Sequence, residues 1–410
     1  MKILQILPYS PVQPTFGGAL RMHHLLRMLC ERHEVTVIVF GKPGQEQEYK
    51  REFGPGLKAV HFVPYRWTAR YRRIAQLTSF WSAHSFFYST AKSIRMEQEI
   101  LKVVREGDFD IIQTEFASMG CYNIPGRAVK ILDSHNIEYD NFRRVWLKTR
   151  APLRKLHYYD EYRKFYKEEL ANYRNQDVLF LTSQRDKELI DAELPERAKY
   201  VVPNGVDGAY FAPSLQTPEP WSIVFTGAMS YFPNNDGMYY FLDNIFPLIL
   251  KEIPEAKLYV VGIHPPKELL RRNSHNVTVT GFVDDVRPFV YRSSVFVVPL
   301  RMGGGTRLKV LEAMAMKKPI VSTSIGCEGI NVRHDESILI ADDPASFADS
   351  VVKLLGDAAL RQRLVDRGYE LMKNEYEWEV IGNSVEQIFR QLLEKAGRSP
   401  TDKKSSSPGA

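Results

Sequence analysis

The sequence predicts an α/β protein built from two Rossmann-like, doubly wound parallel-sheet domains. Three observations lead there. Short apolar strand patterns alternate with helical patterns through most of the 410 residues, the alternation falls into two series, and glycines cluster where strands give way to helices. In the first series, residues 2–9 read as a strand and 19–32 as a helix with Leu25, Leu26 and Leu29 inward. Strands follow at 34–40 and 58–64, a helix at 93–106, and further strands at 110–114, 129–133, 177–182 and 199–203. The stretch 212–220 holds Pro213, Pro218 and Pro220 among polar residues and reads as a linker. Strands of the second series fall at 222–226, 257–262, 277–280, 295–299, 319–322 and 338–340, with helices at 236–251, 307–317 and 345–355. These patterns divide the chain into a first domain at 1–205, a linker at 206–220 and a second domain at 221–376. Two such sheets are expected to face a central cleft, with ligands at the carboxyl ends of their strands. The polar stretch 399–410 has no periodicity and reads as a disordered tail.

Composition excludes several classes. An apolar share of 44% fits a folded chain of two ordinary domains. Cys30, Cys121 and Cys327 are few, odd in number and far apart, which argues for a reducing compartment and against a disulfide framework. No apolar run approaches the ~20 residues of a membrane span, and the first eight residues read as a strand rather than a signal peptide. A cytoplasmic protein is expected. The formal charge of +6 favours acidic partners such as nucleotides, phospholipids or nucleic acid. No G-x-G-x-x-G follows the first strand, so a nicotinamide fingerprint is not supported. Asp108-Phe109-Asp110 imitates a D-x-D metal motif, but it stands at the start of a strand, away from the ligand edge, and reads as structural. The ten histidines show no metal spacing, so neither a metal nor a cofactor is expected.

The most informative segment runs from Gly303 to Ala315. The apolar run 295–300 precedes it and reads as a buried strand. Gly303, Gly304 and Gly305 let the backbone approach a ligand, Thr306 is a good N-cap, and Leu308, Leu311 and Ala315 continue at helical spacing. Arg307 and Lys309 then fall in the first helical turn. Cations there oppose the macrodipole by roughly 0.3–1 kcal/mol each. That placement suggests a compensating anion, which the helix N–H groups would also hold. Glu312, one turn deeper, offers an acceptor. Diphosphate on the cations and ribose hydroxyls on Glu312 describe a nucleoside diphosphate, whereas a solvated helix start with ordinary surface charges is the plainer alternative.

The segment GTRLKVLEAMAMKKPIVSTSIGCEGI resembles the nucleotide-sugar-binding segment of retaining glycosyltransferases of family 4, which have the GT-B fold. The resemblance covers most of the chain through Gly17-Gly18, Ser134-His135-Asn136, Val202-Pro203-Asn204-Gly205-Val206-Asp207, Gly227-Ala228-Met229, Gly281-Phe282-Val283-Asp284-Asp285-Val286 and Tyr376-Glu377-Trp378. No single motif decides it; their order and spacing do. It implies a metal-independent enzyme that moves a sugar, of hexose type, from a nucleoside diphosphate sugar to a glycan or lipid-linked acceptor with retention of configuration. Cell-envelope or exopolysaccharide biosynthesis is the expected setting. With the residue pattern, it places Gly17, Gly18, Gly227, Val283, Gly304, Gly305, Thr306, Leu308 and Glu312 at the donor. Arg307 and Lys309 would hold the diphosphate, and His135 would contact the donor sugar. Glu115, Asn136 and Glu138 are the acceptor candidates. It also implies that a final helix, 377–398, returns to the first domain. Two departures stand out. The family usually has an acidic residue eight positions before Glu312, where this chain has Gly304. The basic residue common after the Gly227 turn is missing from residues 230–235, which shifts the phosphate work to Arg307 and Lys309.

Two tracts are basic and aromatic: Arg66 to Arg73, and Phe142 to Arg174 with Tyr159, Tyr166 and Tyr173 at seven-residue spacing. Such tracts suit anionic lipid or single-stranded nucleic acid. For Arg66 to Arg73 a peripheral contact with the inner face of the cell membrane is expected; the tyrosine stripe reads as core under a solvated basic face. Nucleic acid is not an expected partner. Rival readings are a nucleotide-sugar epimerase or hydrolase on the same architecture, and a non-catalytic nucleotide-sugar or nucleic-acid binding protein. Turnover of donor without acceptor distinguishes the former.

Overall fold

The computed structural model describes residues 1–65, 79 and 82–397, which form two compact units. The tract from Arg66 to Arg73 and the tail 399–410 lie outside the described residues.

The first unit comprises Met1–Pro203 and the chain from Ile381 onward. Among the described residues it has seven strands, β1 (Lys2–Leu7), β2 (Glu34–Phe40), β3 (Leu57–Val63), β4 (Ile111–Glu115), β5 (Val129–Ser134), β6 (Val178–Leu181) and β7 (Ala198–Val201). They pair in parallel in the order β3-β2-β1-β4-β5-β6-β7. Helices cover both faces, so the central strands read as nearly unbroken apolar runs. Leu4, Ile6, Ile38, Ile100 and Ile112 pack on one side, and Leu132, Leu179, Leu181 and Ile190 form another cluster.

The second unit, Asn204–Val380, repeats the plan with six strands. They are β8 (Ser222–Thr226), β9 (Lys257–Val261), β10 (Val277–Gly281), β11 (Val295–Val298), β12 (Ile320–Ser322) and β13 (Leu339–Ile340), in the order β10-β9-β8-β11-β12-β13. In each sheet the order reverses once, between β1 and β4 in the first and between β8 and β11 in the second. Connections leave such neighbours towards opposite faces, which opens a crevice at their carboxyl ends.

Several expectations change. Residues 206–220 are not a free linker but pack within the second unit. Glu219 bonds Arg292 and the Tyr259 hydroxyl (2.6 Å), and Ala212 accepts from the Tyr291 hydroxyl (2.8 Å). The helix expected at 236–251 is three segments, Phe232–Tyr240, a π turn at Phe241–Ile245, and Phe246–Glu252. Pro247 lies in the first turn of the last segment, where its missing N–H is tolerated. The basic aromatic tract beyond Phe142 is a pair of helices, Glu138–Lys148 and Pro152–Arg174, the second opened by Pro152. Asp110 accepts from the Lys2 backbone at 2.8 Å, a structural use of the D-x-D pair. The last helix, Trp378–Lys395, starts in the second unit and enters the first at Ile381. There Gly382 meets Met28, where a Cβ would collide with the sulfur, and His33 Nε2 bonds Glu386 at 2.6 Å. Phe389 is fully buried and stacks on Phe180 at 6.1 Å.

Phe389→Ala should cost about 3–5 kcal/mol, the usual loss for a fully buried aromatic ring. Urea unfolding followed by circular dichroism checks this. A midpoint equal to that of the parent would show that the returning helix contributes little to the first unit.

Candidate functional site

In the second unit the carboxyl edge at the β8/β11 switch point is built from two loops. After β8 the chain turns at Gly227, whose φ of 152° disfavours a side chain and whose N–H bonds the Val261 carbonyl at 2.9 Å. A Cβ on Gly227 would lie 2.8 Å from Lys309 Nζ and 2.7 Å from Asn234 Nδ2. Asn234, in the first turn of Phe232–Tyr240, donates from Nδ2 to the Ala228 carbonyl at 2.9 Å. Its Oδ1 accepts from Lys309 Nζ at 2.9 Å. The same ammonium stands 4.0 Å over the Phe225 ring. Among the described residues Asn234 is the hydrogen-bond acceptor of Lys309, so two of its three donors are available to a ligand. Burial pushes the Lys309 ammonium down to about 7; Glu312 opposes this and Arg307 adds to it. Burial pushes the Glu312 carboxyl up to about 7 against the pull of Lys309. An anion arriving here would restore the charge on Lys309.

The glycine-rich loop differs from expectation. The helix is Leu308–Ala315, and Arg307 occupies the cap position with φ −85° and ψ 86°. Thr306 does not cap it; its buried Oγ1 has no hydrogen-bond partner among the described residues. Arg307 is buried and turns back on its own loop, donating from Nη1 to the carbonyls of Gly304 and Gly305. Gly303 and Gly305, with φ of 122° and 73°, permit that curl. Arg307 thus braces the loop from inside, while Lys309 reaches Asn234 and the Gly227 turn. Leu308 and Val283 are half-buried against the hydrophobic core.

In the first unit, Gly17 and Gly18 open the helix Gly17–Arg32, which has no side-chain cap. His135, just after β5, stacks on Phe116 with ring centroids 3.8 Å apart. Phe116 itself holds a left-handed φ of 68°. A Cβ on Gly18 would lie 2.6 Å from the Phe116 ring and 3.2 Å from His135 Nδ1. His135 Nε2 bonds Glu115 Oε2 at 2.7 Å, while Gln113 donates to Glu115 Oε1 at 2.7 Å. Glu115, expected to face an acceptor, is therefore fully buried behind His135, a correction of its role. Beside it, Arg21 grips Asp133 with Nε at 3.0 Å and Nη2 at 2.9 Å, and donates from Nη1 to the Pro203 carbonyl at 2.8 Å. Burial pushes His135 down to about 3, against the pull of Asp133 and with a push from Arg21. Burial likewise pushes Glu115 up to about 7, against Arg21 and the Gln113 bond. Among the described residues the buried His135 Nδ1 has no hydrogen-bond partner. With Glu115 ionised, Nε2 carries the proton and Nδ1 is an acceptor.

Ligand atoms of Glu115, Asp133 and His135 lie within 4.8 Å of one another, a spacing compatible with a metal. Both Asp133 oxygens already hold the Arg21 guanidinium, and both Glu115 oxygens are engaged. The set fits an internal ion-pair network better than a cation site. Asn136 and Glu138 line a pocket beside His135, together with Tyr9, Tyr88, Phe165 and Glu168.

Sequence reading missed Arg21 and Asn234. Arg21 did carry a signal: it stands four residues before Leu25 and eight before Leu29, on the inward stripe of its helix. Asn234 carried none beyond lying where the family's basic residue is absent.

A family model described as glycosyl transferases group 1 matches residues 220–357. The chain is 22% identical over 398 residues to an uncharacterized 44.6 kDa protein in the cps region of Klebsiella pneumoniae, covering 94% of this chain and 98% of that one. It is 28% identical over 203 residues to the phosphatidyl-myo-inositol mannosyltransferase of Mycobacterium leprae, covering 47% of this chain and 53% of that protein. The match to the group 1 glycosyltransferases thus falls on the second unit, and glycosyltransferase activity is what these comparisons support. The chain's fold is GT-B: Anabaena HepE in complex with UDP superposes with a TM-score of 0.67 at 11% identity, over 95% of this chain and 100% of that one. For this glycosyltransferase, the burial of His135 makes a direct prediction. Its ring resonances should stay those of the neutral form through the range where an exposed histidine, near 6.5, titrates. Histidine NMR across that range checks it, and a His135 midpoint near 6.5 would contradict the buried network.

Proposed function

We propose that this glycosyltransferase moves a hexose from a nucleoside diphosphate sugar to a glycan or lipid-linked acceptor with retention of configuration, in cell-envelope or exopolysaccharide biosynthesis. The observation that carries the reading is the Lys309 ammonium, held by Asn234 at the β8/β11 switch point with two donors to spare. Diphosphate oxygens are the ligand that such donors and an uncapped helix start suit. The Anabaena neighbour's complex with UDP and the mannosyltransferase named among the relatives support the same reading.

Charge on the diphosphate rises as the glycosidic bond breaks. Lys309 and the N–H groups opening Leu308–Ala315 stabilise that charge, and Arg307 keeps their loop in place. Glu312 accepts from the ribose hydroxyls. His135 Nδ1 accepts from a hydroxyl of the donor sugar, with Glu115 fixing its tautomer. The acceptor attacks the face that the diphosphate leaves, and the departing diphosphate takes its proton. Asn136 and Glu138 hold the acceptor. No metal or cofactor takes part, because Lys309 and the helix donors supply the electrostatic stabilisation. The reaction takes place in the cytoplasm; among the described residues no helix is long and apolar enough to cross a membrane.

A nucleotide-sugar panel read by thermal shift first identifies the donor. Its nucleoside diphosphate should then take up protons on binding above pH 7, because the anion lifts Lys309 back from about 7. Calorimetry in buffers of different ionisation enthalpy measures this. Lys309→Met should shrink the uptake and weaken binding about ten- to hundredfold, the value of a charged hydrogen bond. Unchanged affinity in a folded variant would remove Lys309 from the site.

A further inference from the structure

The helices Glu138–Lys148 and Pro152–Arg174 pack along each other through rings. Phe142 stacks on Phe165 at 4.6 Å, and Trp146 stacks on Tyr162 at 5.9 Å. The end where they join, around residues 149–151, is different. Val145 is 44% exposed, Leu147 56%, Leu153 85%, Leu156 52% and Tyr159 36%. Leu153, Leu156 and Tyr159 recur at three-residue spacing, which places them along one side of the first turns of their helix. Between Asn141 and Tyr159 the chain has six cations, Arg143, Arg144, Lys148, Arg150, Arg154 and Lys155, and no acidic residue. Arg144 bonds Asp140 at 2.9 Å, while Arg143, Arg150, Arg154 and Lys155 are exposed.

A single exposed leucine needs no explanation. Five apolar side chains at one end of one helical pair, among charges of one sign, form an amphipathic patch. We propose that this hairpin tip docks on an anionic lipid surface. Aliphatic side chains enter the headgroup boundary, cations meet the lipid phosphates, and Tyr159 sits at the polar level. The chemistry favours lipid over single-stranded nucleic acid. Nucleic acid is held by exposed rings that stack on bases, whereas here Phe142, Trp146 and Tyr162 are engaged with other rings and the most exposed apolar groups are aliphatic. The inference does not depend on the reading of the donor site.

The test is sedimentation of the full chain with vesicles of phosphatidylcholine alone and of an equimolar phosphatidylcholine–phosphatidylglycerol mixture. The parent should bind the anionic vesicles, less so as salt rises, and leave the neutral ones unbound. Arg150→Glu/Arg154→Glu/Lys155→Glu should lower partition about a hundredfold, at about fivefold per cation lost. Leu153→Ser/Leu156→Ser keeps the charge and should lower it about tenfold or more. Both variants alter exposed positions and should keep the parent's circular dichroism and its sugar transfer to a water-soluble acceptor. Failure of the parent to bind anionic vesicles, full binding by either variant, or binding of a labelled single-stranded oligonucleotide in place of vesicles would each overturn the proposal.

Discussion

Lys309 and Asn234 meet at 2.9 Å across the point where the second sheet reverses its strand order. The bond ties the helix that follows β8 to the helix that follows β11. Gly227 stays bare beneath it, since a Cβ there would lie within 3 Å of both partners. An amide can orient an ammonium but cannot neutralise it, so burial holds the lysine well below its usual range. A buried, oriented and incompletely satisfied ammonium is chemically suited to an anionic ligand, as the proposed function requires. The Arg307 curl, the glycine conformations of the loop and the raised Glu312 carboxyl all form the immediate surroundings of that ammonium.

The first unit repeats the theme with other chemistry. Its switch point lies beside a fully buried Arg21–Asp133 pair and a His135–Glu115 pair. A buried ion pair such as Arg21–Asp133 rarely adds net stability, because desolvation offsets the attraction, and His135 is neutral and only hydrogen-bonded to Glu115. Here the return is orientation: the Glu115 bond turns His135 Nδ1 towards Gly18, and Phe116 pins the ring by stacking. Among the described residues, each unit therefore keeps one polar atom oriented and short of a partner at the edge where doubly wound sheets take ligands.

Much of this was legible in the sequence, and for definite reasons. Strands such as 34–40 and 222–226 read correctly because burial on both faces produces continuous apolar runs bounded by polar turns. Lys309 and Glu312 could be placed on one helix because their spacing is local. The start of that helix was misread: Thr306 has the right chemistry for a cap, but the curl of Arg307 onto two glycine carbonyls moves the first turn to Leu308. That curl depends on loop dihedrals that no pattern encodes. Glu115 stands at the expected strand end, but β4 is buried along its whole length, and the bond that holds the carboxylate against His135 joins residues on different strands, which no local pattern shows. The pairs Arg21–Asp133 and Lys309–Asn234 join residues far apart in the chain, and a single sequence does not reveal such partners.

The most direct measurement is a double-mutant cycle between Asn234 and Lys309, read on nucleoside diphosphate affinity. Asn234→Ala, Lys309→Met and the double variant would be titrated with the nucleoside diphosphate of the identified donor. If the amide positions the ammonium for the diphosphate, Asn234→Ala should weaken binding only while Lys309 is present, with a coupling of about 0.5–3 kcal/mol. Additive losses, within about 0.3–0.5 kcal/mol, would show that the two residues act independently and that the bond between them does not build the site.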